Sequence, residues 1–241
     1  MLEIPQSTCR GILNSGPVLL DADLVTPSAK RPLVVELVGP AGVGKTTLLQ
    51  MLSQRDKTIK ANFNISKNRY ARGTLPLLST LVSLHQPYKG LLWKEMKRIL
   101  YLQVLRQMLR QELTKNHSAI VLDEGPVYML SRMRVLNPNV LGSLSFKKWW
   151  HAAIKEWAST LDVIIWLDAQ DSTLIRRIRT RNQPYPISDM SDSSARKFIA
   201  LYRSAFQCVI AELTIPSGPA VFRFITDQDT TEQIADKILT R

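Results

Sequence analysis

Hydrophobic positions along the chain follow two rhythms that take turns. Short apolar runs stand at Leu33-Val34-Val35-Glu36-Leu37-Val38, Ala119-Ile120-Val121-Leu122, residues 162–168 and residues 220–225. Runs of this length, with few polar interruptions, read as strands buried on both faces. A weaker alternation over residues 58–65 reads as a further strand, second in chain order. Between these runs the apolar period lengthens to that of a helix. The first strand leads into a helix reaching about Gln54, and residues 75–84 suit a buried helix with Pro76 in its first turn. From Leu91 to about Thr114, the residues Leu92, Met96, Ile99, Leu100, Val104, Leu105, Met108 and Leu109 mark one long amphipathic helix. Shorter helices are expected over 126–134, 145–159 and 172–181, a longer one over 191–213 started by Ser191 or Asp192, and a closing one over 230–241. Strands alternating with helices predict an α/β fold with a parallel sheet covered on both faces.

Punctuation sets the boundaries. Residues 1–32 carry Pro5, Gly11, Gly16, Pro17, Pro27 and Pro32 and no clean period, so they read as an N-terminal extension ahead of one domain at 33–241. Residues 182–190, with Pro184 and Pro186, read as a loop. Trp149, Trp150 and Trp157 lie along one helical stretch and are expected in the core.

Composition narrows the class. With 241 residues, 45% hydrophobic and 22% charged, the chain is long enough to bury a full core and has the balance of a globular protein. No apolar run approaches the ~20 residues of a membrane helix, and the N-terminus lacks a signal-peptide pattern, so a cytoplasmic location is expected. Cys9 and Cys208 are far apart and imply neither a disulfide framework nor a metal site, and His85, His117 and His151 have no ligand spacing. The formal net charge of +12 attracts anions without choosing among nucleotides, phosphorylated substrates, nucleic acid and acidic membrane surfaces. Much of the excess lies in two helical stretches. Lys94, Lys97, Arg98, Arg106 and Arg110 read as a solvated face, and Arg176, Arg177, Arg179 and Arg181 form a denser cluster.

Against this background Gly39-Pro40-Ala41-Gly42-Val43-Gly44-Lys45-Thr46 matches GxxxxGK[ST], placed between a buried strand and a helix beginning Thr46-Thr47-Leu48-Leu49. Glycines let successive backbone N–H groups converge, and the helix N-terminus adds partial positive charge, so the loop forms an anion cradle. Gly39, Ala41, Gly42, Val43, Gly44, Lys45, Thr46 and Thr47 are the expected contacts to a nucleoside triphosphate. Lys45 would reach the β- and γ-phosphates, and Thr46 would sit on Mg²⁺. Asp123-Glu124 ends the run at 119–122, where ligands of a parallel sheet bind. Asp123 is the expected partner of Thr46 on Mg²⁺, and Glu124 a proton acceptor or orienting group; strand-end acids capping the next helix are the alternative reading. Arg177 and Arg181, four apart, could face a transferring phosphoryl group, or belong to a solvated or nucleic-acid-binding helix.

With these residues together, the chain from Leu33 onward resembles the P-loop nucleoside and nucleotide kinases, in their thymidylate kinase and deoxynucleoside kinase branch. The carrying features are the loop Gly39 to Thr47, Asp123-Glu124, the Leu-x-x-Arg-Ile-x-x-Arg run from Leu174 to Arg181, and Phe222-Arg223-Phe224-Ile225-Thr226-Asp227 with the last helix. The resemblance implies a three-layer P-loop NTPase sandwich with five parallel strands in the order 2-3-1-4-5, and a small arginine-bearing lid at about 172–190. It implies ATP as donor, Mg²⁺ as cofactor, and a small nucleoside- or nucleotide-like acceptor, with Lys45, Asp123, Glu124, Arg177 and Arg181 as the catalytic set. A homodimer is compatible with it; nucleic acid is allowed by the charge but not favoured. Departures fall on the acceptor side. Ala41 stands where thymidylate kinases carry an acid, and Asp123-Glu124-Gly125-Pro126 replaces Asp-Arg-aromatic or Glu-Arg-Ser, which removes the usual acceptor arginine. Arg132, Arg134, Arg69 and Arg72 are candidate substitutes. The competing reading is a P-loop ATPase or nucleotide switch acting on nucleic acid or a protein, and a weaker one is a degenerate kinase fold that only binds.

Overall fold

The computed structural model describes residues 31–61, 93–136, 144–181, 185–214 and 217–240. Strand β1 (Leu33–Val38) leads through the glycine loop into α1 (Lys45–Arg55), and β2 (Lys60–Ala61) follows. Next come α2 (Trp93–Glu112), β3 (Ala119–Leu122), α3 (Pro126–Leu136) and α4 (Leu144–Ala158). The chain closes with β4 (Val163–Asp168), α5 (Asp171–Arg179), α6 (Asp192–Leu213), β5 (Ala220–Ile225) and α7 (Thr231–Leu239). The strands form one sheet in the order β2-β3-β1-β4-β5, and every neighbouring pair is parallel. β1 is central: Val35 pairs with Val121 on one side and Val163 on the other.

Alternation along the strands divides the core into two layers. Val34, Val38, Ile120, Leu122, Ile164 and Trp166 face a cluster built with α2, α3, α4 and α6, which holds Trp150 and Trp157. Val35, Leu37, Val121, Ile165 and Leu167 face the opposite cluster, with Leu48 and Leu52 of α1, Leu174 and Ile178 of α5, and Ile234 of α7. Both faces being covered explains why the strands read as nearly continuous apolar runs.

Local signals account for several boundaries. The Ser191 side chain accepts from the Ser194 N–H at 3.3 Å and starts α6. Thr230 and Gln233 form a reciprocal capping box at the start of α7. Four expectations change. Only Lys60–Ala61 of the second strand falls within the described residues as strand. α5 stops at Arg179: the Thr180 N–H still reaches the Arg176 carbonyl, but the Arg181 N–H bonds to the Ile178 carbonyl three residues back, so Arg181 lies past the helix. Arg98 belongs to no solvated face: its side chain is 11% exposed and pairs with buried Glu95, while Arg106 ties α2 to Glu156 of α4. Cys208 of α6 is disulfide-bonded, which the cysteine count did not lead us to expect. The helix at 75–84, the extension at 1–30, and Arg69 and Arg72 lie outside the described residues. Among those described, no helix is long and apolar enough to cross a membrane.

Candidate functional site

The loop after β1 is shaped by two glycines. Gly39 (φ 150°) passes so close to β4 that a Cβ there would meet the Leu167 carbonyl oxygen at 2.2 Å. Gly44 (φ 101°) is the N-cap of α1 in the left-handed region that L-residues disfavour. It carries no side chain to cap the helix, and the first turn holds no acid. The leading N–H groups of α1 are thereby left for an outside acceptor. Half-buried Lys45 donates to the Gly39 and Pro40 carbonyls at 2.8 and 3.3 Å. Burial holds its pKa below the usual value, Asp123 and Glu124 work against that, and Arg181 adds to it. Thr46 and Thr47 are exposed at the start of α1, Val43 is buried, and Ala41 is partly covered.

The acids at the end of β3 reach this loop. The Thr46 hydroxyl donates to Asp123 Oδ2 at 3.0 Å. Asp123 Oδ1 is buried, with no hydrogen-bond partner among the described residues. A buried bare carboxylate oxygen beside a hydroxyl is a donor set suited to a hard divalent cation. Glu124 follows, its carbonyl accepting from the Tyr101 hydroxyl at 2.9 Å.

Beneath these acids lies a group that the sequence reading passed over. Glu36, fully buried on β1, accepts from the Val127 N–H at 2.9 Å and the Tyr128 N–H at 3.0 Å. It thus satisfies the open amides of α3 from below and pins the turn at 123–125 to the strand that carries the loop. Gly125 is required by this approach, since a Cβ there would meet Glu36 Cδ at 2.5 Å. Burial pushes the Glu36 pKa up to about 8, helped by the Asp123 charge and opposed by backbone N–H groups of Tyr128, Val127 and Gly125. The available signal was a lone acid within an apolar strand.

Arg177 and Arg181 border a cleft of about 550 Å³ with Gly42, Gly44, Thr47 and the turn at 226–230. Arg177 donates to the Thr226 hydroxyl at 3.0 Å and its carbonyl at 3.3 Å, and approaches the Gly42 carbonyl at 3.5 Å. It therefore clasps the loop to the end of β5, while the Arg181 charge is felt at Lys45. Behind the loop, nearly buried Asp168 accepts from Arg203 Nε at 2.9 Å, from Arg223 at 3.0 Å and from the Ala169 N–H at 2.9 Å. Arg203 also reaches the Ala169 carbonyl at 2.6 Å and pairs with Asp171. This network fixes the β4–α5 turn against which Gly39 packs. Its members are 35 and 55 residues apart in sequence, too far to be recognised there.

A second group of side chains gathers around Tyr128, whose phenol feels the Glu124 charge. Arg132 of α3 donates to the Tyr128 hydroxyl at 3.4 Å, lies 5.9 Å from that ring's centre, and has a buried Nε with no partner among the described residues. Tyr185 stacks edge-on with Phe198 at 6.4 Å, and Phe198 meets Tyr202 at 4.9 Å. Burial raises the pKa of all three phenols, and the Arg132 charge counters the rise in each. Of the other candidate acceptor arginines, Arg134 is turned away to Glu212 and the Trp150 ring.

No family model matches the chain, and no curated protein sequence matches it. Solved structures share its fold. Deoxyadenosine kinase from M. mycoides, with the products dCMP and a flexible dCDP bound, gives a TM-score of 0.53 at 17% identity, over 87% of this chain and 100% of the kinase. The same enzyme with dATP bound gives 0.51 at 18% identity, over 86% and 97%. The five-stranded parallel sheet in the order 2-3-1-4-5 is that of the P-loop kinases.

Proposed function

We propose that the chain is an ATP- and Mg²⁺-dependent phosphotransferase of the nucleoside and nucleotide kinase type, in the thymidylate kinase and deoxynucleoside kinase branch. The observation that carries the reading is the Thr46–Asp123 contact of 3.0 Å, with a bare Asp123 Oδ1, at the mouth of an uncapped helix N-terminus. Kinase neighbours of the same fold support it.

In this reading the amides from Ala41 to Thr47 receive the donor phosphates, and Lys45 swings from the Gly39 and Pro40 carbonyls onto the β- and γ-oxygens. Thr46 and Asp123 would hold Mg²⁺, which when bound offsets phosphate charge and fixes the triphosphate geometry. Arg181 faces the transferring group, and Arg177 keeps the donor cleft closed at Thr226. Glu124 accepts the proton of an acceptor hydroxyl or orients the acceptor. An in-line transfer needs these groups positioned before reaction, and most of the acceleration comes from that positioning.

The test is ADP formation from ATP and Mg²⁺ while nucleosides, nucleoside monophosphates and sugars are added in turn. The reading expects release that depends on an acceptor and is lost in Lys45→Ala. The second reading, an ATPase or switch, is favoured by Asp123-Glu124 and the charge of +12. It expects hydrolysis without an acceptor, raised by single-stranded nucleic acid.

A further inference from the structure

We infer that the outer face of α2 and α4 is a docking surface for an acidic amphipathic helix of a partner protein, one of whose bulky apolar side chains fills the cleft between them. The inference goes beyond the phosphotransferase reading and uses none of the residues placed in the nucleotide site.

A cleft of about 240 Å³ opens between the two helices. Ile99 and Leu102 of α2, with Ala153 and Trp157 of α4, form its buried floor. Half-buried Trp149 and exposed Ala152 form its wall. The Arg106–Glu156 ion pair belongs to its lining, and Gln103 adds an amide. The volume falls below the roughly 300–1,000 Å³ of sites that enclose a small-molecule ligand. A single anchoring side chain, seated in a pocket at the centre of an interface, is the better match.

Charge fixes the sign of the partner. The acids of the two helices are Glu95, Glu112 and Glu156, and each is already engaged: Glu95 by Arg98, Glu112 by Lys115 and His117, and Glu156 by Arg106. Arg110, Lys147, Lys148 and Lys155 are exposed and have no carboxylate partner among the described residues. Helical spacing sets these cations beside the cleft. Lys148, Ala152 and Lys155 share one stripe of α4, and Ala152 lines the cleft. Leu144, 70% exposed, heads the same stripe. On α2, Arg110 follows cleft-lining Arg106 by one turn.

These features choose among occupants. A second copy of the chain would set cations against cations, which an interface disfavours. A nucleobase would bring ring nitrogens and exocyclic groups onto a floor of Ile99, Leu102, Ala153 and Trp157, which offers them few partners. An amphipathic helix meets both conditions. Its apolar anchors, spaced by three and four residues, seat in a groove between helices, and carboxylates on its flanks reach the cations of α2 and α4.

The experiment titrates the full chain into a fluorescein-labelled peptide of about 18 residues, five helical turns, and follows anisotropy. Leucines at helical spacing around one central phenylalanine form the apolar stripe of the peptide, and glutamates fill the other positions. The comparisons are a peptide of the same composition with the stripe scrambled, one with lysine for every glutamate, and single-stranded oligodeoxythymidine. The striped acidic peptide should bind about tenfold tighter than either peptide control, or more. Ala152→Trp, which fills the mouth of the cleft, should weaken that binding by about tenfold or more with the thermal midpoint unchanged. Lys148→Glu combined with Lys155→Glu should reverse the order of the acidic and lysine peptides. Equal binding of the scrambled peptide, an unaffected Ala152→Trp, or no binding of the striped peptide would overturn the inference. Oligonucleotide binding that Ala152→Trp abolishes, with no peptide bound, would give the face to nucleic acid instead. A dimer in sedimentation that the same substitution dissociates would give it to a second copy. Either result also overturns the inference.

Discussion

Glu36 gives the structure a pH dependence with a definite sign. In the unfolded chain its carboxyl ionises near the ordinary value of 4.5, whereas in the fold burial holds the proton until about pH 8. Between those values the folded protein binds the extra proton and unfolding releases it, so rising pH favours the unfolded state. The stabilisation is fully present below the unfolded value and is lost as pH rises through the folded one. The interval spans roughly 3.5 pH units, and at about 1.4 kcal/mol per pH unit the complete effect is about 5 kcal/mol. Glu36→Gln removes the titration and keeps the shape. Its amide presents –NH₂ to one of the Val127 and Tyr128 N–H groups, leaving that donor unsatisfied at a cost of about 1–3 kcal/mol that does not vary with pH. Urea denaturation of both proteins at pH 5, 6, 7 and 8, with EDTA present so that no cation acts on neighbouring Asp123, yields a difference in unfolding free energy. That difference should favour the wild type at pH 5 and shrink steadily, reversing by pH 8. A difference that stays level, or grows with pH, would refute the assignment of a protonated buried carboxyl.

Three further outcomes follow from particular contacts. Gly125→Ala should lower stability by about 1–3 kcal/mol, because its methyl would press on the Glu36 carboxyl at 2.5 Å; an unchanged thermal midpoint would contradict the packing. Arg203→Met should cost on the order of 3 kcal/mol by stripping buried Asp168 of its better-covered partner, and a loss below 0.5 kcal/mol by denaturant titration would show that Arg223 suffices. Thr46→Ala should leave ADP affinity in EDTA nearly unchanged while reducing the gain that Mg²⁺ brings; calorimetry with and without the metal separates the two, and an undiminished gain removes Thr46 from the cation site.

The architecture was legible where local chemistry and global fold agree. Leu33–Val38, the glycine loop and the helix behind it form one contiguous segment, so their pattern states the elements and marks where a candidate site would lie. Asp123-Glu124 could be placed near the loop because strand ends of a parallel sheet share one edge. What escaped depends on contacts between distant segments. Glu36 stands inside an apolar run, and only the approach of α3 gives it partners. Asp168, Arg203 and Arg223 are each unremarkable among the many charges of a basic chain, and only the fold brings them together. The arginine run continues past Arg179 at helical spacing, yet the backbone turns there, so spacing alone overstated α5. Arg98 looked like one charge of a wet face because its pairing with Glu95 in the covered part of α2 is a tertiary event.

The central claim, that main-chain amides between Gly39 and Thr47 receive a triphosphate, is tested most directly by titrating the purified chain with Mg·ATP in a calorimeter beside Lys45→Ala. The account predicts saturable heat of one-site form for the wild type and a marked weakening in the variant. Absence of binding heat in the wild type, or an isotherm identical in both proteins, would contradict it.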